Sequence, residues 1–113
     1  MNDALETKAA VLAAKENSSL PIFVTNVYDE SGKLMTGASP EAMIAMLEGL
    51  GADAIGMNCS FGPKQMLEIL PEFAKYASVP IIVNPNAGLT RTEGGRTVYS
   101  VGPEEFAGWM EKI

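Results

Sequence analysis

Three short apolar runs constrain this chain more than any other feature: Ile22–Tyr28, Ala52–Met57 and Val79–Val83, beginning about 30 residues apart. That interval is the length of a strand–helix–strand unit, in which the strands run parallel through a right-handed crossover. Between and around the runs, apolar residues recur at helical spacing. The predicted order is α-β-α-β-α-β-α, an α/β fold with three parallel strands. Part of a (β/α)8 TIM barrel fits this order, and so does a small open doubly wound sheet. A closed barrel takes about 250 residues, and 113 residues with three strands cannot close one.

The helices announce themselves by their ends. Residues 3–16 read as a helix, with Asp3 and Glu6 as a capping box and Leu5, Ala9, Leu12 and Ala13 as one apolar face. Ser39-Pro40-Glu41 supplies an N-cap, a proline for the first turn and an acid for the positive end of the helix. Met43, Met46, Leu47 and Leu50 follow at helical spacing, and Gly51 stops that helix. A third helix carries Met66, Leu67, Leu70, Phe73 and Ala74, with Pro71 inside it expected to kink or divide it. Glu93-Gly94-Gly95-Arg96 reads as a hairpin turn, and Gly102-Pro103-Glu104-Glu105 opens a last helix with Phe106, Trp109 and Met110 as its stripe. The first strand, apolar without alternation, is expected to be buried on both faces.

Composition removes several classes of function. Eight Lys and Arg against 14 Asp and Glu give a net charge of −6, so no basic patch can dominate the surface and binding to a phosphate backbone is disfavoured. The chain has no histidine, which excludes Ser-His-Asp and Cys-His catalysis and any site with a histidine ligand. A single cysteine excludes an internal disulfide and a self-contained thiolate zinc cage. No apolar run reaches the ~18 residues of a membrane span, and the acidic start lacks a signal-peptide core. The expected setting is the cytoplasm, with a free thiol. Neither GxGxxG nor GxxxxGK[ST] occurs, so dinucleotide and P-loop readings have no support.

Chemistry in parallel sheets collects at the carboxyl ends of the strands. Here each strand turns polar at that end: Thr25 and Asn26, then Asn58, Cys59 and Ser60, then Asn84 and Asn86. Any one asparagine is explained by turn chemistry; three strands doing the same points to a site. Cys59 stands two or three positions before a helix, whose positive end favours anions. Its alternative is a buried structural cysteine. A redox role is weaker, because no second cysteine is present to resolve a sulfenic acid. Glu41, Glu104 and Glu105 are explained as first-turn helix residues, and the methionines as core filler.

The stretch Ala52-Asp53-Ala54-Ile55-Gly56-Met57-Asn58-Cys59-Ser60 resembles the G-x-N-C strand end of homocysteine S-methyltransferases. Pro80-Ile81-Ile82-Val83-Asn84-Pro85-Asn86-Ala87-Gly88-Leu89 is similar to that family's next strand and its P-N-A-G loop. The resemblance extends over nearly the whole chain and is nearer to the cobalamin-dependent branch than to the betaine-dependent one. Thr90 departs from it, standing where proline is expected. The resemblance implies a barrel whose strands five to seven are these three, preceded by a helix, so that residues 1–113 form a single fragment of a homocysteine-binding methyltransferase barrel. It implies zinc held by three cysteines at the strand ends. Cys59 would be the first, and the other two would come from a Gly-Gly-Cys-Cys-Gly segment that this chain lacks. Asn58, Asn84 and Asn86 would help position homocysteine or the ligand loops. Methylcobalamin on another module would supply the methyl group that makes methionine. The implied partners are homocysteine, the remaining barrel strands, and cobalamin and folate modules.

Two further expectations follow. The chain alone is inactive, for want of metal ligands. It also forms a homo-oligomer, because the strand faces around Ile22–Val24, Ile55 and Ile81–Val83 and two sheet edges would lie bare. Reading the chain instead as a stand-alone small α/β binding module without catalysis needs neither metal nor partner.

Overall fold

The computed structural model describes residues 1–113. Helix α1 (Ala4–Asn17) leads to strand β1 (Phe23–Asn26), helix α2 (Pro40–Gly49) and strand β2 (Ala54–Asn58). Helix α3 (Pro63–Tyr76) and strand β3 (Ile81–Asn84) follow, then a hairpin of β4 (Thr90–Glu93) and β5 (Arg96–Tyr99), and helix α4 (Pro103–Met110). Strands β1, β2 and β3 form a parallel sheet in that order. The hairpin is a separate antiparallel pair around Gly94-Gly95, where the turn was expected. Thr90 opens β4 opposite Tyr99, so the residue in place of the expected proline takes a strand position. No helix is long and apolar enough to cross a membrane.

The helix ends form as the sequence dictates. The Asp3 carboxylate accepts the Glu6 N–H at 2.8 Å, and the Ser39 hydroxyl accepts the Ala42 N–H at 3.3 Å. Helix α2 ends where the Ala52 N–H reaches back to the Leu47 carbonyl at 3.0 Å. Helix α3 runs through Pro71 undivided.

All the sheet's core contacts lie on one face. Val24, Ile55 and Met57 belong to a twelve-residue buried cluster with Val11, Met43, Ile44, Leu47, Met66 and Phe73, and Ile81 and Val83 pack against it. The pairing register puts Phe23, Thr25, Ala54, Gly56, Ile82, Asn58 and Asn84 on the other face. That face lies outside the cluster, and Phe23 on it is 68% exposed. Two expectations are corrected by this geometry. Strand β1 is buried on one face rather than two. Of the residues expected to lie bare, Val24, Ile55, Ile81 and Val83 turn toward the helices, while Phe23 and Ile82 face away. Alternation along each strand sorts them, and an unbroken apolar run hides that alternation from the sequence.

Helix α1 needs a similar correction. Thr7 and Val11 are its buried residues, whereas Leu5, Ala9, Leu12 and Ala13 are exposed. Thr7 can be buried because every polar atom of its side chain is occupied. Its hydroxyl donates to the Asp3 carbonyl at 2.6 Å and accepts from Asn26 Nδ2 at 2.9 Å. Met1 lies along the outer edge of β1. Its carbonyl accepts the Val27 N–H at 2.8 Å, and its amino group donates to the Thr25 carbonyl at 3.2 Å.

Tyr28 and Leu34 anchor the long connection from β1 to α2. Tyr28 is 3% exposed and Leu34 1%. The Tyr28 ring meets Phe73 edge-on at 5.6 Å. Burial pushes the Tyr28 phenol well above its ordinary value.

Candidate functional site at the strand ends

The central strand β2 ends on Asn58, which pairs in register with Asn84, the last residue of β3. Register partners in a parallel pair share a face, so both residues belong to the uncovered face. Cys59 and Ser60 follow with φ of 59° and 60°. A left-handed conformation costs an L-residue about 1–2 kcal/mol, and two in succession turn the chain sharply out of the strand and into α3. Three backbone hydrogen bonds hold the turn. The Cys59 N–H donates to the Asn84 carbonyl at 3.1 Å, the Phe61 N–H to the Cys59 carbonyl at 2.7 Å, and the Asn86 N–H to the Phe61 carbonyl at 2.9 Å.

Cys59 is exposed, which sets aside the buried structural alternative. Asn58 Nδ2 donates to its sulfur at 3.0 Å. The Asn58 Oδ1 atom is buried with no donor, an arrangement that costs stability wherever it is not relieved. Asn84 and Asn86 are exposed. The four residues therefore form one rim: a thiol, an amide touching it, and two more amides, one ending the neighbouring strand and one on the loop after it. Asn26 does not join them. It is fully buried on the helix side of β1, bonded to Thr7, with its own Oδ1 unpaired. Nothing in the sequence separated this asparagine from the others except its strand parity.

A cleft of about 770 Å³ is lined by none of the four rim residues. It lies behind them, between the β1–α2 connection at Glu30–Lys33, the face of α3 with Gln65, Ile69 and Glu72, and the contact of Gly88 and Leu89 with Ser100 and Val101. Two further residues hold the rim. Gly56, inside β2, has no room for a side chain, because a Cβ there would collide with the Ile82 carbonyl. Ser100 accepts the Leu89 N–H at 2.9 Å, just beyond the hairpin whose turn the sequence showed. A glycine in a strand interior is a visible signal; a serine after a hairpin is not.

The donor set limits what these residues can do for a metal. Zinc takes four ligands, mostly thiolate or imidazole. Here one thiol stands beside neutral amides, and no group of three or more His, Cys, Asp or Glu residues is placed to hold a metal ion. These residues provide one soft ligand and do not assemble a zinc site by themselves.

Known proteins resemble this chain along most of its length. Methionine synthase of Mycobacterium leprae is 36% identical over 110 residues, and methionine synthase of Mycobacterium tuberculosis 34% over 110. Each alignment takes in 93% of this chain, and the chain spans 9% of the relative's length. The family described as Homocysteine S-methyltransferase matches residues 1–113, and with that match along its whole length the chain belongs to this family.

Proposed function

We propose that this chain is the Cys59-bearing part of a homocysteine S-methyltransferase barrel, supplying strands five to seven and working within a larger protein that methylates homocysteine to methionine. The observation that carries the reading is Cys59 itself, an exposed thiol on a left-handed turn at the carboxyl end of the central strand. In this reading Cys59 is one thiolate ligand of a zinc ion whose other ligands lie outside these residues. Methylcobalamin on a separate module is the proposed methyl donor, and the remaining barrel strands and folate module are the proposed partners. Asn58 orients the sulfur through its Nδ2, and Asn84 and Asn86 border the space a small amino-acid thiol would enter.

The test is a graft. Residues 1–113 replace the matching segment of a mycobacterial methionine synthase, and methyl transfer to homocysteine is assayed. The graft is expected to be active, and Cys59→Ser within it to lose at least ~100-fold, more than the ~10–100-fold that losing a residue hydrogen-bonded to a metal ligand costs. A Cys59→Ser graft as active as its parent sinks the proposal. The binding-module reading draws on the cleft of about 770 Å³, whose ligand would leave Cys59 untouched.

A further inference from the structure

The rim is fastened from behind. Gly88, the last residue of the P-N-A-G segment, has φ of 76°, and a Cβ there would collide with Ser100 Oγ and come within 2.7 Å of Val101 Cγ2. On its other side, a Cβ at Gly62 would lie 3.3 Å from the Gly88 Cα. Three hydrogen bonds continue the hairpin ladder into this seam. The Leu89 N–H donates to Ser100 Oγ at 2.9 Å, the Ser100 N–H to the Leu89 carbonyl at 3.0 Å, and the Val101 N–H to the Ala87 carbonyl at 3.1 Å. From Ala87 the chain runs one residue back to Asn86, whose N–H is bonded to Phe61 in the Cys59 turn. The seam borders the open cleft on one side, with Gly88 itself buried against Ser100 and Val101, so these bonds and that close packing hold it closed.

From this geometry we infer that the β4–β5 hairpin clamps the Cys59 rim and that Ser100 is its positioning residue. Ser100 touches neither Cys59 nor the space beside it. It fixes Leu89 and Gly88, and through them the Asn86–Phe61 and Asn84–Cys59 bonds that set the left-handed turn. The clamp bears on methyl transfer only if the reading proposed above holds, but the mechanical coupling itself needs no substrate and is tested without one.

The experiment is residue-resolved amide hydrogen exchange on the 113-residue chain. With Ser100→Ala, the amides of Asn86 and Cys59 are expected to exchange roughly tenfold faster, the effect of losing one hydrogen bond from a local closing equilibrium, while core amides such as Ile55 keep their rates. Ser100→Thr, which keeps the hydroxyl, restores the slow rates. Glu93→Ala, which breaks only the Arg91–Glu93 pair near the hairpin turn, leaves both amides unchanged. Acceleration confined to Leu89 overturns the clamp. So does a uniform rise at all amides or loss of the folded spectrum, since Ser100 would then serve general stability. Failure of the threonine variant to rescue, or an equal effect from Glu93→Ala, overturns it too. A failed graft with intact coupling counts against the methyl-transfer reading alone.

Discussion

A glycine inside a strand costs stability unless something else needs the space, and at Gly56 the Ile82 backbone needs it. The glycine of the G-x-N-C pattern thus lets β2 and β3 approach closely just before Asn58 and Asn84 meet in register. Gly56→Ala forces the strands apart or strains one of them. The expected loss is at least ~2 kcal/mol, as for overpacked sites, read from chemical denaturation; a variant as stable as the parent would contradict the contact. The asparagines show how far residue types alone can be read. Four of them end strands or begin loops, and their identity suggested a common site. Parity separates them: Asn58 and Asn84 share the uncovered face, whereas Asn26 is turned among the helices and needs Thr7. Sequence shows which residues are polar, but an apolar run without alternation does not show which side each one takes.

Among the elements, those bounded by strong local signals were legible. The caps at Asp3 and Ser39, the stop at Gly51 and the turn at Gly94-Gly95 lie where the sequence puts them, because each satisfies backbone groups within a few residues. The buried face of α1 was not legible. Periodicity counts apolar side chains, and it could not foresee a buried threonine whose hydroxyl is answered by Asp3 and Asn26. Long-range caps are equally hidden. The Glu48 carboxylate, near the end of α2, accepts the Ser78 N–H at 2.7 Å and the Ser78 hydroxyl at 2.6 Å. It thereby joins α2 to the connection between α3 and β3. The Ser78 hydroxyl, with its amide, holds the Glu48 carboxyl below its ordinary value of 4.5. A depressed folded value means that the bond's contribution is present above the unfolded value and is lost as pH falls through the folded one. Glu48→Gln should therefore lower the Tm most near pH 7, with the difference from the parent shrinking as pH falls through and below the ordinary carboxylate range. A difference that stays constant with pH would rule out the charge as its source.

For the molecule as a whole, the one-sided core matters most. The helices cover one face of the sheet and leave Phe23, Thr25, Gly56 and Ile82 on the other. Parallel sheets are normally covered on both faces, so the isolated chain is expected to associate through this surface. Light scattering should give a mass rising above 12.0 kDa with concentration; a constant monomer mass over a wide range would refute association. The same preparation should not retain stoichiometric zinc through dialysis against a chelator, since one thiolate falls short of four ligands. The two connections that leave the strand ends differ in another respect. Residues 27–39 join β1 to α2, while only Cys59, Ser60, Phe61 and Gly62 join β2 to α3. The longer connection is anchored at Tyr28 and Leu34, and its tip between Asp29 and Lys33 is closed on itself by the Asp29 N–H and carboxylate, so a change of length there can be absorbed only by rebuilding that turn as a unit. The shorter one has no slack: a single inserted residue would break the two left-handed steps and swing the thiol off the rim. Evolution can remodel the edge of this site by replacing the turn of the first connection whole, but it can change the second only by substitution.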